Sequence, residues 1–252
     1  MDANEYERLA PQCTVQHAGR ELLFHTPNHV TVWRVQTLLT KEPDTIAWIG
    51  ELGGDDVLFD VGANVGMYSI LAAKTRGARV LAFEPESQNY AILNRNIYLN
   101  GLDRLVQAYC VAIADRAGFD RLYLSGFRAG DACHSFGAPL DPHNREREAL
   151  FAQGCVSATI DELIAGAGMP MPTHIKIDVD GLEHAVIAGA QRTLRNPRLR
   201  SVLVEINTGL DEHWDVIDQL LAAGFDYSAE QAEQARRTSG PFEGVGNYVF
   251  RR

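Results

Sequence analysis

A turn containing two glycines follows an apolar run at residues 57–59, and its spacing suits a small-molecule site. The turn has the pattern D-x-G-x-x-x-G over residues 60–66, and apolar side chains recur at helical spacing over residues 67–74. Glycine lets the backbone turn tightly off a strand and brings a ligand close to main-chain N–H groups. The pattern therefore predicts a strand, a turn and a helix, with a ligand at the first strand of an open α/β sheet.

The residue at the strand tip indicates which kind of ligand this turn binds. A dinucleotide site has the pattern G-x-G-x-x-G around a pyrophosphate, whereas here Asp60 stands two positions before Gly62. An acid at this place disfavours phosphate and suits a ligand with an ammonium group, such as S-adenosylmethionine. A side chain at Gly62 would then enter the ligand's space. The alternative is a tight structural turn in an ordinary βαβ unit.

A second buried strand, at residues 79–83, ends in another acid. Glu84 lies 24 positions after Asp60, near the offset of about 20 residues at which a second-strand acid binds ribose hydroxyls. The glycine turn and Glu84 together predict a nucleoside site, although Glu84 alone is equally consistent with a solvated strand end.

Charged residues also mark the end of the predicted fourth strand, at residues 174–181. Alternation along the strand places Lys176, Asp178 and Asp180 on one side. Burying unpaired charge is costly, so stability alone does not explain these residues. The predicted fifth strand, 201–207, contains Glu205, which lies near Asp178 if the two strands are neighbours.

The remaining elements must position these groups. Residues 87–100 form a predicted helix with Ser87 as N-cap. Its predicted buried stripe consists of Tyr90, Leu93, Ile97 and Tyr98. A third strand is predicted over residues 105–114, where Val111, Ala112 and Asp115 are candidates to flank an adenine ring, although 115–118 also fits a plain turn.

The two ends of the chain and one internal segment depart from strand–helix alternation. Residues 1–50 predict two short strands and two helices, interpreted as a cap on the main domain, which comprises 51–252. A polar insertion at about 126–150 contains the candidate substrate residues His134 and Ser135. A single helix is predicted from Glu183 to about residue 195, and a loop over 228–244.

Composition limits the function classes. The 252 residues are 46% hydrophobic, which is ample for one large α/β core. With 23 basic and 33 acidic residues the formal net charge is −10, which gives no broad attraction for nucleic acid or anionic membranes. No apolar run approaches a membrane span, and the four cysteines form no C-x-x-C pair. We expect a cytoplasmic protein with free thiols.

Seven motifs, in this order, resemble those of the FkbM-type methyltransferases, a class I family that uses S-adenosylmethionine. They are DVGANVG at 60–66, FEPE at 83–86, the Asn96…Asn100 helix end, AIAD at 112–115, TIDEL at 159–163, KIDVDGLE at 176–183 and VEIN at 204–207. The common form of the sixth motif has Glu where this chain has Asp180. The resemblance implies a doubly wound, mostly parallel seven-stranded Rossmann-like sheet, with an N-terminal cap and an inserted substrate loop.

The resemblance also implies methyl transfer to a hydroxyl of a sugar, glycan or natural product, with a role for each matching residue. Asp178 is the expected base or substrate orienter, and Lys176, Asp180 and Glu205 are further catalytic candidates. The expected cofactor residues are Asp60, Gly62, Ala63, Asn64, Gly66, Tyr68, Ser69, Glu84, Val111, Ala112, Asp115 and Asp178. Substrate contacts are expected from His134, Ser135 and Glu183. A Mg²⁺ bound by Asp178, Asp180 and Glu205 is conceivable, but no metal is included in the main prediction.

Three alternatives remain open at this stage. A nicotinamide-dependent dehydrogenase would share the first two strands, but this chain has Asp60 in place of the first glycine of the G-x-G-x-x-G pattern. A non-catalytic cofactor-binding protein has no need of charges at the fourth strand. An N- or C-methyltransferase is harder to separate, although the Asn/Asp-Pro-Pro-Tyr/Phe pattern common in N-methyltransferases is replaced here by Asp178-Val179-Asp180-Gly181.

We expect isothermal calorimetry to show tight binding of S-adenosylhomocysteine and no binding of NAD by the same preparation. The physical reason is the acid at position 60, which opposes a pyrophosphate. Binding of NAD alone would overturn the interpretation of residues 60–66 and, with it, the predicted reaction class.

Overall fold

The computed structural model describes Asp2, Glu5 and residues 9–252 of the chain. The strands are β1 (Gln12–His17), β2 (Arg20–His25), β3 (Val57–Val61), β4 (Arg79–Phe83), β5 (Val106–Tyr109), β6 (Ala112–Ile113), β7 (Gly118–Leu124), β8 (Ser135–Phe136), β9 (Phe151–Ala158), β10 (His174–Ile177), β11 (Ser201–Asn207), β12 (Asp226–Tyr227) and β13 (Val245–Arg251). The helices are α1 (His29–Thr37), α2 (Pro43–Gly50), α3 (Met67–Arg76), α4 (Ser87–Asn100), α5 (Ile160–Ala165), α6 (Glu183–Ala188), α7 (Gln191–Leu194), α8 (Asp211–Ala222) and α9 (Ala229–Ala235). Among the described residues, no helix is both long and apolar enough to cross a membrane.

Seven of the described strands form the main sheet, in the order β12-β13-β11-β10-β3-β4-β5. The pairs from β11 to β5 are parallel, and β13 runs antiparallel to both of its neighbours. Apolar side chains alternate between the two faces: Leu58 and Val80 pack into one core, Phe59 and Leu81 into the other. Because both faces are covered, the strands are near-continuous apolar runs. The predicted α/β class is confirmed, with a mixed sheet.

Asparagines on α4 connect the N-terminal hairpin to the sheet domain. Asn100 accepts a hydrogen bond from the main-chain N–H of Leu23 at 3.1 Å and donates to the carbonyl of Leu23 at 2.7 Å. Asn96 accepts from the N–H of His25 at 2.7 Å and donates to the carbonyl of Val65, in the glycine turn, at 2.8 Å. The buried face of α4 is therefore partly polar, because it must satisfy the backbone of an edge that has no strand partner.

Two details of the predicted α4 helix are wrong. Its N-cap is Glu86, whose carboxylate accepts the N–H groups of Gln88 and Asn89, and not Ser87. Tyr98, predicted in the buried stripe, is 72% exposed. The helical spacing of the apolar residues predicted an all-apolar stripe, whereas the buried positions of the helix include asparagines.

The predicted third strand, 105–114, divides between two sheets. β5 ends at Tyr109 in the main sheet, whereas β6 pairs with β9 in a four-stranded sheet of order β6-β9-β7-β8. In this second sheet β7 and β9 pair antiparallel, with Phe119 opposite Val156. The insertion at 126–150 therefore connects the two long strands of this second sheet along the chain.

Two further predictions about helices are wrong. The single helix predicted from Glu183 to about residue 195 is interrupted at Gly189, where a β-carbon would overlap the carbonyl oxygen of Ala114. This close approach to the chain after β6 requires glycine and breaks the helix into α6 and α7. The segment 228–244, predicted as loop, contains the short helix α9, which is capped by the Ser228 hydroxyl.

We expect Asn96→Ala to lower the free energy of unfolding by about 2 kcal/mol, because a buried donor and acceptor in two other segments lose their partner. Urea denaturation measures this change. Asn94→Ala is the matched control on the same helix, since Asn94 is exposed and donates only to the carbonyl of Tyr90. Equal effects of the two substitutions would contradict the connecting role of Asn96.

Candidate functional site

A cleft at the carboxyl ends of β3, β4 and β10 contains three pockets with shared walls. The first, of about 610 Å³, lies beside Glu84; the second, of about 460 Å³, lies against α1; the third, of about 990 Å³, is bordered by Glu205. Gly62, Asn64 and Asp178 line all three pockets, so these residues mark the place where they meet.

The two glycines of the turn allow other segments of the protein to pack closely against it. Gly62 and Gly66 have left-handed backbone angles, with φ of +78° and +82°. A β-carbon at Gly62 would overlap the main-chain oxygen of Asp178, and one at Gly66 would overlap the side chain of Leu93 on α4. A side chain at Gly62 would therefore displace the end of β10, which corrects the expectation that it would enter ligand space.

Lys176 lies at the centre of a buried ionic network. The parallel register of β10 with β3 places Lys176 beside Asp60, and its Nζ lies 3.7 Å from Asp60 Oδ1 and 3.2 Å from Asp178 Oδ2. Burial alone would lower the pKa of Lys176, but Asp178, Asp60 and Glu42 together hold it above its ordinary value. The side chain of Asp178 is 25% exposed, so its carboxylate reaches the cleft.

A fully buried glutamate holds the chain that follows β10. The Glu183 carboxylate accepts the N–H groups of Val179 at 2.8 Å and Gly181 at 3.0 Å. His213 Nε2 lies 3.1 Å from the same carboxylate, and its Nδ1 accepts the N–H of Asn207. The ring therefore carries a proton on Nε2, which it donates to Glu183. This arrangement fixes the loop at residues 178–181 from the side opposite the cleft.

Part of the insertion lies across the cleft, and we call residues 129–134 the strap. The side chain of Asn64, a left-handed residue with φ +50°, donates to the carbonyl of Asp131 at 2.9 Å. The N–H of Cys133 donates to Asp180 Oδ2 at 2.7 Å. Asp180 is also left-handed, with φ +57°, and burial together with Asp178 raises its pKa to about 6. The strap is thus bound to both loops whose residues were predicted from sequence to be functional.

Glu84 connects the ends of β3 and β4. Its carboxylate accepts the N–H of Asn64 at 2.8 Å and the N–H of Glu86 at 2.9 Å. Burial raises the pKa of Glu84 to about 7 in spite of these two hydrogen bonds. In the first pocket this polar group stands next to an apolar wall formed by Val111, Ala112, Ile113, Leu122 and Phe136.

Comparison with known proteins places this arrangement in a family. The model of the methyltransferase FkbM domain matches residues 60–227, which include the glycine turn and both charged strand ends. The chain belongs to the FkbM methyltransferase family. This finding confirms the resemblance drawn from the motifs, and it removes the dehydrogenase alternative.

Two curated relatives and one solved structure illustrate the range of this likeness. Hexuronic acid methyltransferase AglP of Haloferax volcanii is 27% identical over 202 residues, which cover 77% of this chain and 74% of that protein. The 31-O-demethyl-FK506 methyltransferase FkbM of Streptomyces tacrolimicus is 28% identical over 221 residues, covering 75% of this chain and 84% of that protein. The structure of methyltransferase FkbM from Methylobacillus flagellatus is 15% identical, with a TM-score of 0.53, covers 89% of this chain and 55% of that one, and supports the fold alone.

The cofactor of this FkbM-family methyltransferase is S-adenosylmethionine, and the pockets fit it. The first pocket combines an apolar wall with the Glu84 carboxylate, as a purine and a ribose diol require. The second pocket combines the positive charges of Arg34 and Lys41 with the negative charge of Glu42, as the zwitterionic amino acid end requires.

The structure separates the residues predicted from sequence into two groups. Those that line the cleft are Gly62, Ala63, Asn64, Tyr68, Glu84, Val111, Ala112, His134, Lys176, Asp178, Asp180 and Glu205. Those that line none of its pockets are Asp60, Gly66, Ser69, Asp115, Ser135 and Glu183. Asp60, Ser69 and Glu183 are fully buried and act on other side chains, and Ser135 is buried in β8. Asp115 is exposed and pairs with Arg116 at 3.8 Å, as in a plain turn.

The sequence reasoning missed cleft residues from both ends of the chain. Arg34, Lys41 and Glu42 line the second pocket, and Arg237 and Phe242 line the third. They lie in segments predicted to be a cap and a loop, without a motif or a regular spacing. Only the folded chain brings them to the strand ends.

Carboxylates of Asp178, Glu183 and Glu205 come within 4.8 Å of one another. Glu183 already accepts two N–H groups and a histidine proton, so it has little capacity left to ligate an ion. Burial and the neighbouring Asp178 and Asp180 raise the pKa of Glu205 well above its ordinary value. We therefore interpret the cluster as a group of interacting carboxylates beside the third pocket, and we assign it no metal.

We expect the contribution of Glu84 to the stability of the free protein to fall as pH rises. Because its pKa of about 7 in the folded state exceeds the ordinary value of 4.5, its contribution is fully present below pH 4.5 and is lost as pH rises through 7. Comparison of the free energy of unfolding at pH 5 and pH 8 should show a loss smaller in Glu84→Gln than in the wild type, by about 3 kcal/mol. An identical loss in both proteins would contradict the raised pKa.

Proposed function

We propose that the protein is an O-methyltransferase that transfers the methyl group of S-adenosylmethionine to a hydroxyl of a sugar, glycan or natural product. One observation carries this proposal: the three pockets meet at Gly62, Asn64 and Asp178. A transferase of this kind needs space for an adenosine, an amino acid and an acceptor, converging on one point beside a group that can take a proton.

The first two pockets supply the cofactor contacts of this proposal. Val111 and Ala112 flank the adenine, the Glu84 carboxylate accepts hydrogen bonds from the ribose hydroxyls, and the turn at 62–64 borders the methionine portion. The bound cofactor supplies an electrophilic methyl group on a sulfonium. Because Ser69 donates its hydroxyl to Asp60 at 2.6 Å, we assign both residues to positioning Lys176 and the turn, in place of direct cofactor contact.

Asp178 is the proposed base at the junction. Lys176 donates to Asp178 Oδ2, which orients the carboxylate and leaves Oδ1 to accept the proton of the acceptor hydroxyl. Lys176 is itself buried, so it acts by holding Asp178 and by balancing the charge of the network. Asp180 and Glu205 border the same space, and the charge of Asp178 contributes to the raised pKa of both carboxyl groups.

The third pocket suits an acceptor with both apolar and hydroxylated faces. Trp33 and Phe242 present aromatic surface, and Arg237 and Glu205 present charge, with Arg237 Nη1 3.7 Å from Glu205 Oε1. Sugars and hydroxylated natural products combine these two kinds of surface. The strap borders this pocket through Ala132 and Cys133, which supports a role of the insertion in acceptor choice. The segment up to residue 50 then acts as a cap through Trp33 and Arg34.

The relatives support oxygen as the methyl acceptor. One is named for hexuronic acid and another for a 31-O-demethyl compound, both of which offer oxygen to be methylated. Nitrogen and carbon acceptors are tested by the product: transfer of labelled methyl to a hydroxylated acceptor, followed by fragmentation analysis, identifies the methylated atom. An N-methyl or C-methyl product would overturn the proposed reaction.

We expect Asp178→Asn to lower kcat by a factor on the order of 10²–10⁴, the usual contribution of a general base, and to leave the affinity for S-adenosylhomocysteine within about threefold. Labelled methyl transfer measures the first effect on an acceptor found by screening sugars and macrolides, and calorimetry measures the second. Asp115→Asn is the matched control, because Asp115 is exposed and borders no pocket of the cleft. Methyl transfer by Asp178→Asn at the wild-type rate would show that Asp178 is neither base nor orienter.

A further inference from the structure

The second pocket contains a cation that forms no ion pair with a carboxylate of the residues that the structure describes. Its basic side chains are Arg34, Lys41 and Lys176. Lys176 pairs with two carboxylates of the central network, and Lys41 lies 2.7 Å from Glu42. Arg34 has no carboxylate of a described residue within 4.0 Å, and its Nε donates instead to the carbonyl of Gly130 in the strap at 2.7 Å. This pocket therefore has an unmatched positive charge at its border.

The position of the Arg34 side chain is well defined by its surroundings. It extends from α1, which is capped by Asn28, and the Asn28 amide donates to the carbonyl of Ala129 at 2.9 Å. The strap is thus held by α1 at two consecutive carbonyls. Because the hydrogen bond to Gly130 uses Nε, both terminal nitrogens of the Arg34 guanidinium remain available, and these can bind a carboxylate in a bidentate manner.

The hydroxyl groups of Tyr68 and Ser69, two of the predicted cofactor residues, already donate to carboxylates of the protein. The Tyr68 hydroxyl donates to Glu42 at 2.8 Å, and the Ser69 hydroxyl donates to Asp60 at 2.6 Å. Burial of Glu42 is outweighed by Lys41 and its other partners, which lower its pKa to about 2, so it remains an ionised acceptor for Tyr68. A negatively charged ligand group in this pocket must therefore find its donors elsewhere.

We propose that Arg34 binds the carboxylate of the methionine portion of S-adenosylmethionine and thereby makes helix α1 part of the cofactor site. This inference rests on the proposed function of the cleft. Negative charge from Glu42 lines the same pocket and complements the ammonium group of the ligand. The N-terminal segment then binds the zwitterionic amino acid end of the cofactor, and the motif residues 60–66 form the opposite wall of the pocket.

Arg34 also borders the third pocket, so the competing role is a contact with the acceptor. A pair of ligands that differ only in the carboxylate separates the two roles: S-adenosylmethionine and its decarboxylated form. Calorimetry without any acceptor gives the dissociation constant of each ligand for the wild type, Arg34→Gln and Arg34→Lys. Arg128→Gln is the matched control, because Arg128 lies next to the strap, pairs with Asp131 at 3.2 Å and borders no pocket of the cleft.

We expect the wild type and Arg128→Gln to prefer S-adenosylmethionine over the decarboxylated form by a factor on the order of 10–100, the usual value of a charged hydrogen-bonded pair. Arg34→Gln should lose this preference by weakening only the carboxylate-bearing ligand, and Arg34→Lys should recover part of it. Far-ultraviolet circular dichroism and thermal melting confirm that each variant is folded.

Three outcomes would overturn the inference. Equal weakening of both ligands by Arg34→Gln would show that Arg34 only positions the strap through Gly130. Unchanged binding of both ligands would assign Arg34 to the acceptor or to no ligand. Failure of the folded wild type to bind either ligand would refute the proposed cofactor site itself, and this result is distinct from the first two because it appears without any substitution.

Discussion

The buried ammonium of Lys176 is the constraint on which the site depends. Removing a charged group from water is costly unless partners surround it, and breaking such a buried pair costs about 3–5 kcal/mol. Lys176 meets this requirement with Asp60 from the neighbouring strand and Asp178 from its own. The register that aligns β10 with β3 is therefore tied to the orientation of the Asp178 carboxylate, which reaches the cleft.

The backbone around this network is packed closely enough to leave few alternatives. Gly62 lies against the carbonyl of Asp178 with no room for a β-carbon, so the first and fourth strand ends of the family pattern are in direct main-chain contact. Glu84 joins the glycine turn to the second strand end, and Glu183 with His213 fixes the loop after β10. Glu84 and Glu183 thus each accept hydrogen bonds from backbone N–H groups of other residues, which explains why these two carboxylates are buried. Preorganisation of this kind keeps the junction of the three pockets in one geometry before any ligand binds.

The pockets themselves are completed by segments remote from the motifs. The strap is bound by Asn64 and Asp180 from the central loops and by Arg34 from α1. Arg237 follows α9 and lies 4.0 Å from Glu42 and 3.7 Å from Glu205, so it connects the walls of the second and third pockets.

Local patterns in the sequence determined the α/β class, the strand–turn–helix around residues 60–66 and the charged ends of β4 and β10. They could do so because glycine turns, apolar strands and strand alternation depend on neighbouring residues. Only the tertiary structure decided which polar groups reach the cleft. Asp60, Ser69 and Glu183 are buried because each has a partner far along the chain or across the sheet, whereas Arg34 and Arg237 enter the site from segments with no pattern of their own. Burial and partnership are properties of packed elements, so the chemistry of a charged residue in this protein follows from its neighbours in space.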